Sequence, residues 1–546
     1  MSIFLSPGVY VSERDISDIV PRIATAPAAL VGYSAKGDVN NIRLMTSDQQ
    51  FIEEYGRPDP SSGHFFHYSA LAYLKKGNTL YCLRVHNGAL WGGANIMKKD
   101  SAFDNAALGT GQASDSFTVA SGYENDVLFQ ILGANPGDWN NRIGIKVQNV
   151  KDGTDLIATD QYTFEIVVYW QDDDGNWAQV ETHKVSRKKK VDGYGSQLYL
   201  EDRINGVSQY IIVKDNTDIA DTTVPESQST RLEFTGGDDG SDISESDVAT
   251  GWEEFENPDD VDIRILINGG ETSVTVQTAM RDIAEDRADC IAVLDIPYAS
   301  TNSADSMVTF RSTTQNFNTS YAALYTIWPK IHDSYNDLLL RVPGSGYVAA
   351  QYAYNDNVSN VWFAPAGFNR GILDSVLECT MLNGKALTEG ERDVLYQVQI
   401  NPLQTFRGEG HVIWGQKTLQ KKLSALSFIN VRRLLIVLEK AMAVSLRGFV
   451  MEPNNDLTRF RVEALLNEYL GDLSAQGAFQ TEGGDPGYHV VCDSTNNTPA
   501  VIDRGEMAVD VFIKPSRAAE YIRLRTTVTS TGTSFEELTA RGFLIG

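Results

Sequence analysis

The sequence predicts an α/β (α+β multidomain) protein: a mostly parallel α/β domain, interrupted by a β-rich insertion and followed by an α+β module with extended ends. Three observations point there. Apolar β-type runs alternate with helical runs on both sides of residues 96–255. Between them lies a stretch rich in Gly, Asp, Ser and Thr, with short strand signals and no convincing amphipathic helix. After residue 400 long runs with apolar residues at three- and four-residue spacing take over.

In chain order, Ser6-Pro-Gly-Val-Tyr-Val-Ser-Glu13 reads as a turn and a short alternating strand. One short strand cannot bury itself alone, so it must pair with a sheet elsewhere, in its own chain or a neighbour's. Ala26–Tyr33 reads as a buried strand. Thr46–Gly56 reads as a helix capped by Ser47 or Thr46 and stopped by Gly56. His64–Lys76 is a second helix, and Thr79–Val85 a strand. In the insertion, strands are expected at 127–132, 143–150, 162–169, 198–200 and 210–213. The α/β pattern resumes with strands at 263–268 and 289–295, a helix over 274–287, a strand near 321–328 and a helix from about 346 to 355.

In the last module Leu419, Leu423 and Leu426 are expected to begin a helical face that Val431, Leu434, Leu438, Met442 and Leu446 extend. A shorter helix should follow Asn455 or Asp456, with Arg459, Arg461, Glu463 and Glu468 on its outer face, and Met507–Ile513 alternates as a strand.

Composition narrows the function classes. The chain has 546 residues and a net charge of −26, with 42% hydrophobic and 22% charged residues, which is ordinary globular composition. Residues 96–260 hold 13 basic and 32 acidic side chains, while 401–546 hold 16 of each. No segment supplies a strongly basic face, which disfavours nucleic-acid binding. Arg187-Lys-Lys-Lys190 reads as a loop that balances its acidic neighbours. The N-terminus lacks a basic n-region and a long apolar run, and no stretch suits a membrane span. Four widely spaced cysteines read as reduced, buried hydrophobes of a cytosolic protein.

No catalytic signature is legible. Gly-x-Ser-x-Gly, a Walker A sequence and Gly-x-Gly-x-x-Gly are absent, and Val342-Pro-Gly-Ser-Gly346 reads as a turn opening a helix. His64-Phe-Phe-His67 has a spacing that can suit a metal but no carboxylate or cysteine partner nearby in sequence. Asp172-Asp-Asp-Gly175 and Asp238-Asp-Gly240 read as acidic turns. No catalytic, cofactor or metal residues are therefore assigned.

Pro7-Gly-Val-Tyr-Val11, Ala26-Pro-Ala-Ala-Leu-Val-Gly32, Gly137-Asp-Trp-Asn-Asn-Arg-Ile143, Asp286–Asp295, Trp362-Phe-Ala-Pro-Ala366 and the series over 401–525 occur in one order. That ordered series resembles the contractile tail sheath proteins of bacteriophages and related injection systems. The resemblance implies five regions: an arm at 1–21, a discontinuous subtilisin-like sheath domain at 22–95 and 256–400, an outer insertion at 96–255, an inner domain at 401–518, and a C-terminal arm at 519–546. It implies a non-enzymatic virion protein, assembled in the host cytoplasm, that stacks as hexameric rings around a tail tube and contracts during genome delivery. Its partners would be itself, the tube protein, and baseplate and terminator proteins, with neither nucleic acid nor membrane insertion. Val9, Tyr10, Val11, Tyr521, Ile522, Arg523 and Leu524 would exchange strands with neighbouring subunits. Arg459, Arg461, Lys417, Lys421 and Lys422 are the candidates for facing the tube. A sheath of a bacteriocin-type particle and a hydrolase with a subtilisin-like fold are the competing readings.

Overall fold

The computed structural model describes residues 26–520 except 40, 108–110, 156–159 and 173. Among these, seven strands form the main sheet, in the spatial order Ile400–Asn401, Ala322–Tyr325, Ile291–Asp295, Ile265–Ile267, Ala28–Tyr33, Leu80–Val85, Arg43–Met45. Every pairing is parallel except that of the last strand. Ala28, Leu30, Ile265, Ile267, Ala292 and Val293 are fully buried, as strands covered on both faces must be. Helices Phe66–Leu74 and Ser345–Val358 pack together on one face; Glu245–Glu253 and Val274–Arg287 cover the other. Local chemistry sets the helix ends. The Ser47 hydroxyl accepts the Gln50 N–H at 3.2 Å to start helix Asp48–Tyr55, and Gly56 stops it with φ of +84°, a value that favours glycine.

The insertion is a pair of four-stranded antiparallel sheets. One holds Ile211–Asp215, Val127–Gly133, Gly93–Met97 and Ala106–Ala107. The other holds Leu232–Glu233, Ile143–Gln148, Phe164–Gln171 and Trp177–Val185. Their inner faces share one core, in which the Phe129 and Phe164 rings stack 5.4 Å apart. The chain enters and leaves side by side: the Leu90 N–H donates to the Asp238 carbonyl at 2.8 Å and the Ser241 N–H to the Asn87 carbonyl at 2.8 Å. The buried Arg84 guanidinium spans the junction, donating to the carbonyls of Ala35, Gly37 and Pro136.

Several expectations need correcting. The stretch 96–255 does contain an amphipathic helix, Glu245–Glu253, opened by a reciprocal capping box of Ser244 and Asp247. Its Val248 and Trp252 belong to the main core, so the insertion ends near 240 and begins near 92. Residues 198–200 are no strand; Leu200–Ile204 is a short helix. The strand Ile400–Asn401 closes the main sheet, and the core continues through Leu403, Ile413, Leu419, Ile429 and Ile436, so position 400 is no break in packing. Arg187 is not a balancing loop residue. It is buried, donating to Asp215 at 2.7 Å and to three backbone carbonyls.

The last module is anchored by helix Ile429–Leu446, which the sequence reading began too early: Leu423 is 79% exposed and a 3-10 turn, Ala425–Ser427, precedes the helix. Helix Asp456–Ala475 is the longer of the two, not the shorter, with 20 residues against 18. A third core joins Leu434, Leu438, Val462, Leu466 and Leu470 to the hairpin Tyr488–Val491 and Asp510–Ile513.

Candidate functional site

Helix Asp456–Ala475 starts where the Asn455 side chain accepts the Thr458 N–H at 2.9 Å. Its Thr458, Val462, Leu465, Leu466 and Leu470 face inward at helical spacing. A second apolar row, Leu457 (68% exposed) and Phe460 (67%), points outward. The loop before the helix adds Val450 and Met451, 65% and 97% exposed. The Arg461 guanidinium lies 5.4 Å over the Phe449 ring, which sets this loop beside the helix. Val450, Met451, Leu457 and Phe460 thus form an exposed apolar patch of the kind that marks a protein contact. The charge pattern of this helix does not reveal it. The available signal was apolar residues on both faces of one helix.

The five cations proposed from sequence do not share one role. Arg459 is buried rather than outward; it donates to Asn454 at 2.8 Å and pairs with Asp456. Arg461 is exposed beside the apolar patch. The Lys417 ammonium sits 3.9 Å over the Tyr396 ring and donates to the Tyr396 carbonyl at 3.1 Å; burial pushes its pKa down. Lys421 donates to Asn316, and Lys422 is exposed. The strand-exchange candidates Val9, Tyr10, Val11, Tyr521, Ile522, Arg523 and Leu524 lie outside the described residues.

No described constellation fits hydrolysis. The closest Ser–His pair is Ser34 with His67, 3.2 Å apart, and both lean on one acceptor, the Tyr55 carbonyl, at 2.8 and 3.1 Å. A His nitrogen that donates to this carbonyl cannot also accept the serine proton. Burial lowers the His67 pKa to about 4. Ser345 is buried, and its hydroxyl accepts the Gly269 N–H at 3.1 Å. His64 pairs with Glu271 at 3.0 Å. Among the described residues no group of three His, Cys, Asp or Glu is placed to hold a metal.

One buried carboxylate is perturbed. Asp295 ends its strand at the start of helix Ser345–Val358, where it accepts the Ser345 N–H at 2.8 Å. Burial raises its pKa from 3.8 to about 6, against those backbone donors. The folded state therefore holds this proton more tightly than the unfolded chain. The resulting stabilisation is full below about pH 4 and is lost as pH rises through about 6. Asp295→Asn should consequently gain about 3 kcal/mol of stability relative to the native chain between pH 4 and pH 7.5, measured by urea denaturation at each pH. A constant difference would place the titration elsewhere.

Comparison with known proteins bears on the whole arrangement. A model described as phage tail sheath protein central domain matches residues 242–419, and one described as phage tail sheath C-terminal domain matches 421–529. The tail sheath protein of Enterobacteria phage T4 is 34% identical over 386 residues, covering 67% of this chain and 56% of the relative. The chain spans between about a third and just over half the length of the curated relatives it matches. Among solved structures, a sheath tail protein from Listeria innocua superposes with a TM-score of 0.57 at 12% identity, covering 90% of this chain and 95% of that one. The contracted sheath complex of an extracellular contractile injection system gives 0.54 at 17%, covering 98% and 100%. At these identities the structures speak to fold, and the fold agrees with the matched domain models. The chain belongs to the contractile phage tail sheath family.

Proposed function

We propose that this chain is the structural subunit of a contractile tail sheath, stacked as hexameric rings around a tail tube and driving that tube through the host envelope on contraction. The reading rests on two sheath domain models matched in order over 242–529. In it the acidic insertion projects outward and the C-terminal module lies inward. Partners are other copies, the tube, baseplate and terminator proteins; the product is a virion tail assembled in the host cytoplasm. Contraction draws its energy from a second packing with more intersubunit contact, without nucleotide.

Strand exchange joins the rings. The sheet of Tyr488–Val491 and Asp510–Ile513 has two strands among the described residues and packs on helix Asp456–Ala475, so added strands would lengthen it at its edges. Strands donated by Val9–Val11 and by Tyr521–Leu524 of neighbouring copies would extend it through main-chain hydrogen bonds. The tube-side surface is the apolar patch of Val450, Met451, Leu457 and Phe460 with Arg461 at its rim. This replaces the purely cationic face expected from sequence, since Arg459 is engaged within its own chain.

Electron microscopy of the chain coexpressed with its tube protein tests both parts. Wild type should give sheathed tubes. Leu457→Glu with Phe460→Glu, both exposed and so folding normally, should polymerise without binding tubes. Loss of residues 1–20 should leave folded subunits that do not polymerise. Absence of any wild-type polymer would refute the sheath reading; sheathed tubes at normal yield from the double variant would refute the tube-side assignment.

A further inference from the structure

We propose that in the free subunit residues 530–546 of this chain dock on an aromatic face of its own α/β body, formed by Phe368, Phe406 and Trp414. These three rings lie 4.8–5.3 Å apart, centroid to centroid, and come from the short helix Gly367–Arg370, the strand Leu403–Phe406 and the residue after its partner strand Gly410–Ile413. Phe368 is 36% and Trp414 40% exposed, which is costly for an unpartnered aromatic cluster. Beside it opens a cavity of about 340 Å³ bounded by Trp414, Tyr396 and the backbone at 518–520.

Two observations select the occupant. First, the chain leaves the described body at this cavity. The Tyr396 hydroxyl donates to the Glu520 carboxylate at 2.6 Å, pinning the exit at the cavity wall. The fifteen residues from Glu520 to Phe535 span at most about 50 Å, so the tail reaches the rings and meets them as part of the same chain. Second, residues 530–546 lie beyond the matched C-terminal domain, which ends at 529, yet they carry Phe535, Leu538, Phe543, Leu544 and Ile545. These five apolar side chains are of the kind that an exposed aromatic face takes up. Docking would hold back the arm that precedes the tail until a neighbouring subunit competes for it. The proposal concerns the free subunit and stands whether or not the chain polymerises.

Cross-linking of the full chain at dilute monomer concentration tests it. Glu389→Cys at the cavity and Ala540→Cys in the tail are joined with a short bismaleimide; the four native cysteines are buried and stay unreacted. An intramolecular link is expected, located by mass spectrometry of the monomer band. Its yield should fall at least about tenfold with Phe543→Ser and Leu544→Ser, and likewise with Phe368→Ser and Trp414→Ser. The tail pair lies outside the described body and leaves its folding untouched. A link that persists in both double variants, or one that joins two chains, overturns the proposal.

Discussion

Arg433→Met is expected to destabilise the subunit by about 3–5 kcal/mol, because it strands a buried carboxylate. The Arg433 guanidinium reaches from helix Ile429–Leu446 to Asp356 on helix Ser345–Val358 with a forked pair of hydrogen bonds at 2.6 and 3.0 Å. Both side chains are nearly sealed from water, at 3% and 1% exposure. The guanidinium also lies 4.7 Å over the Tyr352 ring, whose hydroxyl shares a 2.6 Å hydrogen bond with Tyr325 of the main sheet. The pair is therefore one point, beside the shared core at Ile429 and Ile436, at which the C-terminal module is fastened to the α/β body. Lys440, two turns further along the same helix, adds a second fastening to Asp289 at 3.0 Å. Asp356→Leu combined with Arg433→Met should recover most of the loss, since well-packed apolar groups replace a buried pair at little cost. Urea denaturation of the two single variants and the double decides the matter. Additive losses would mean that the two charges do not meet in solution.

Trp252→Ala should cost about 3–5 kcal/mol, the usual range for deleting a large buried ring. Trp252 is fully buried on helix Glu245–Glu253, with its ring 5.7 Å from that of Phe255. The helix lies close on the sheet: a Cβ at Gly251 would stand 2.6 Å from Val85 and 2.8 Å from Val31. That approach leaves no room for the surroundings to collapse into the vacated space, so the cavity contribution should be near its upper end. The denaturation midpoint should fall with the urea slope unchanged. A loss below about 1 kcal/mol would show that this helix is an appendage of the insertion and not a layer of the α/β body.

The regular α/β elements were legible because their local signals and their burial agree. Helix Val274–Arg287 matches its expected bounds; Ser273 caps it and the buried strands on either side are short apolar runs. Elements whose pattern is set by a partner were not legible. Trp177–Val185 is a nine-residue strand with a mostly exposed pattern, held by its pairing with Phe164–Gln171 rather than by its own hydrophobicity. Glu245–Glu253 lies in an acidic run, and its few apolar residues fall within two turns, too few for a helical period to show. The candidate surface was legible only in location. The sequence pointed to the helix after Asn455, but it could not tell Arg459, turned inward to Asn454, from Arg461, turned out beside Phe449.

The sequence by itself determined the α/β class, the interruption by a β-rich insertion and the membership suggested by an ordered series of motifs, because these depend on periodicity and on order along the chain. Tertiary structure alone decided where the insertion stops, which cations are spent internally, and that apolar side chains rather than charges dominate the exposed start of helix Asp456–Ala475. Those outcomes depend on which side chains meet across hundreds of residues, as Arg433 meets Asp356 and Trp252 meets the main sheet. Local pattern carries no record of such meetings.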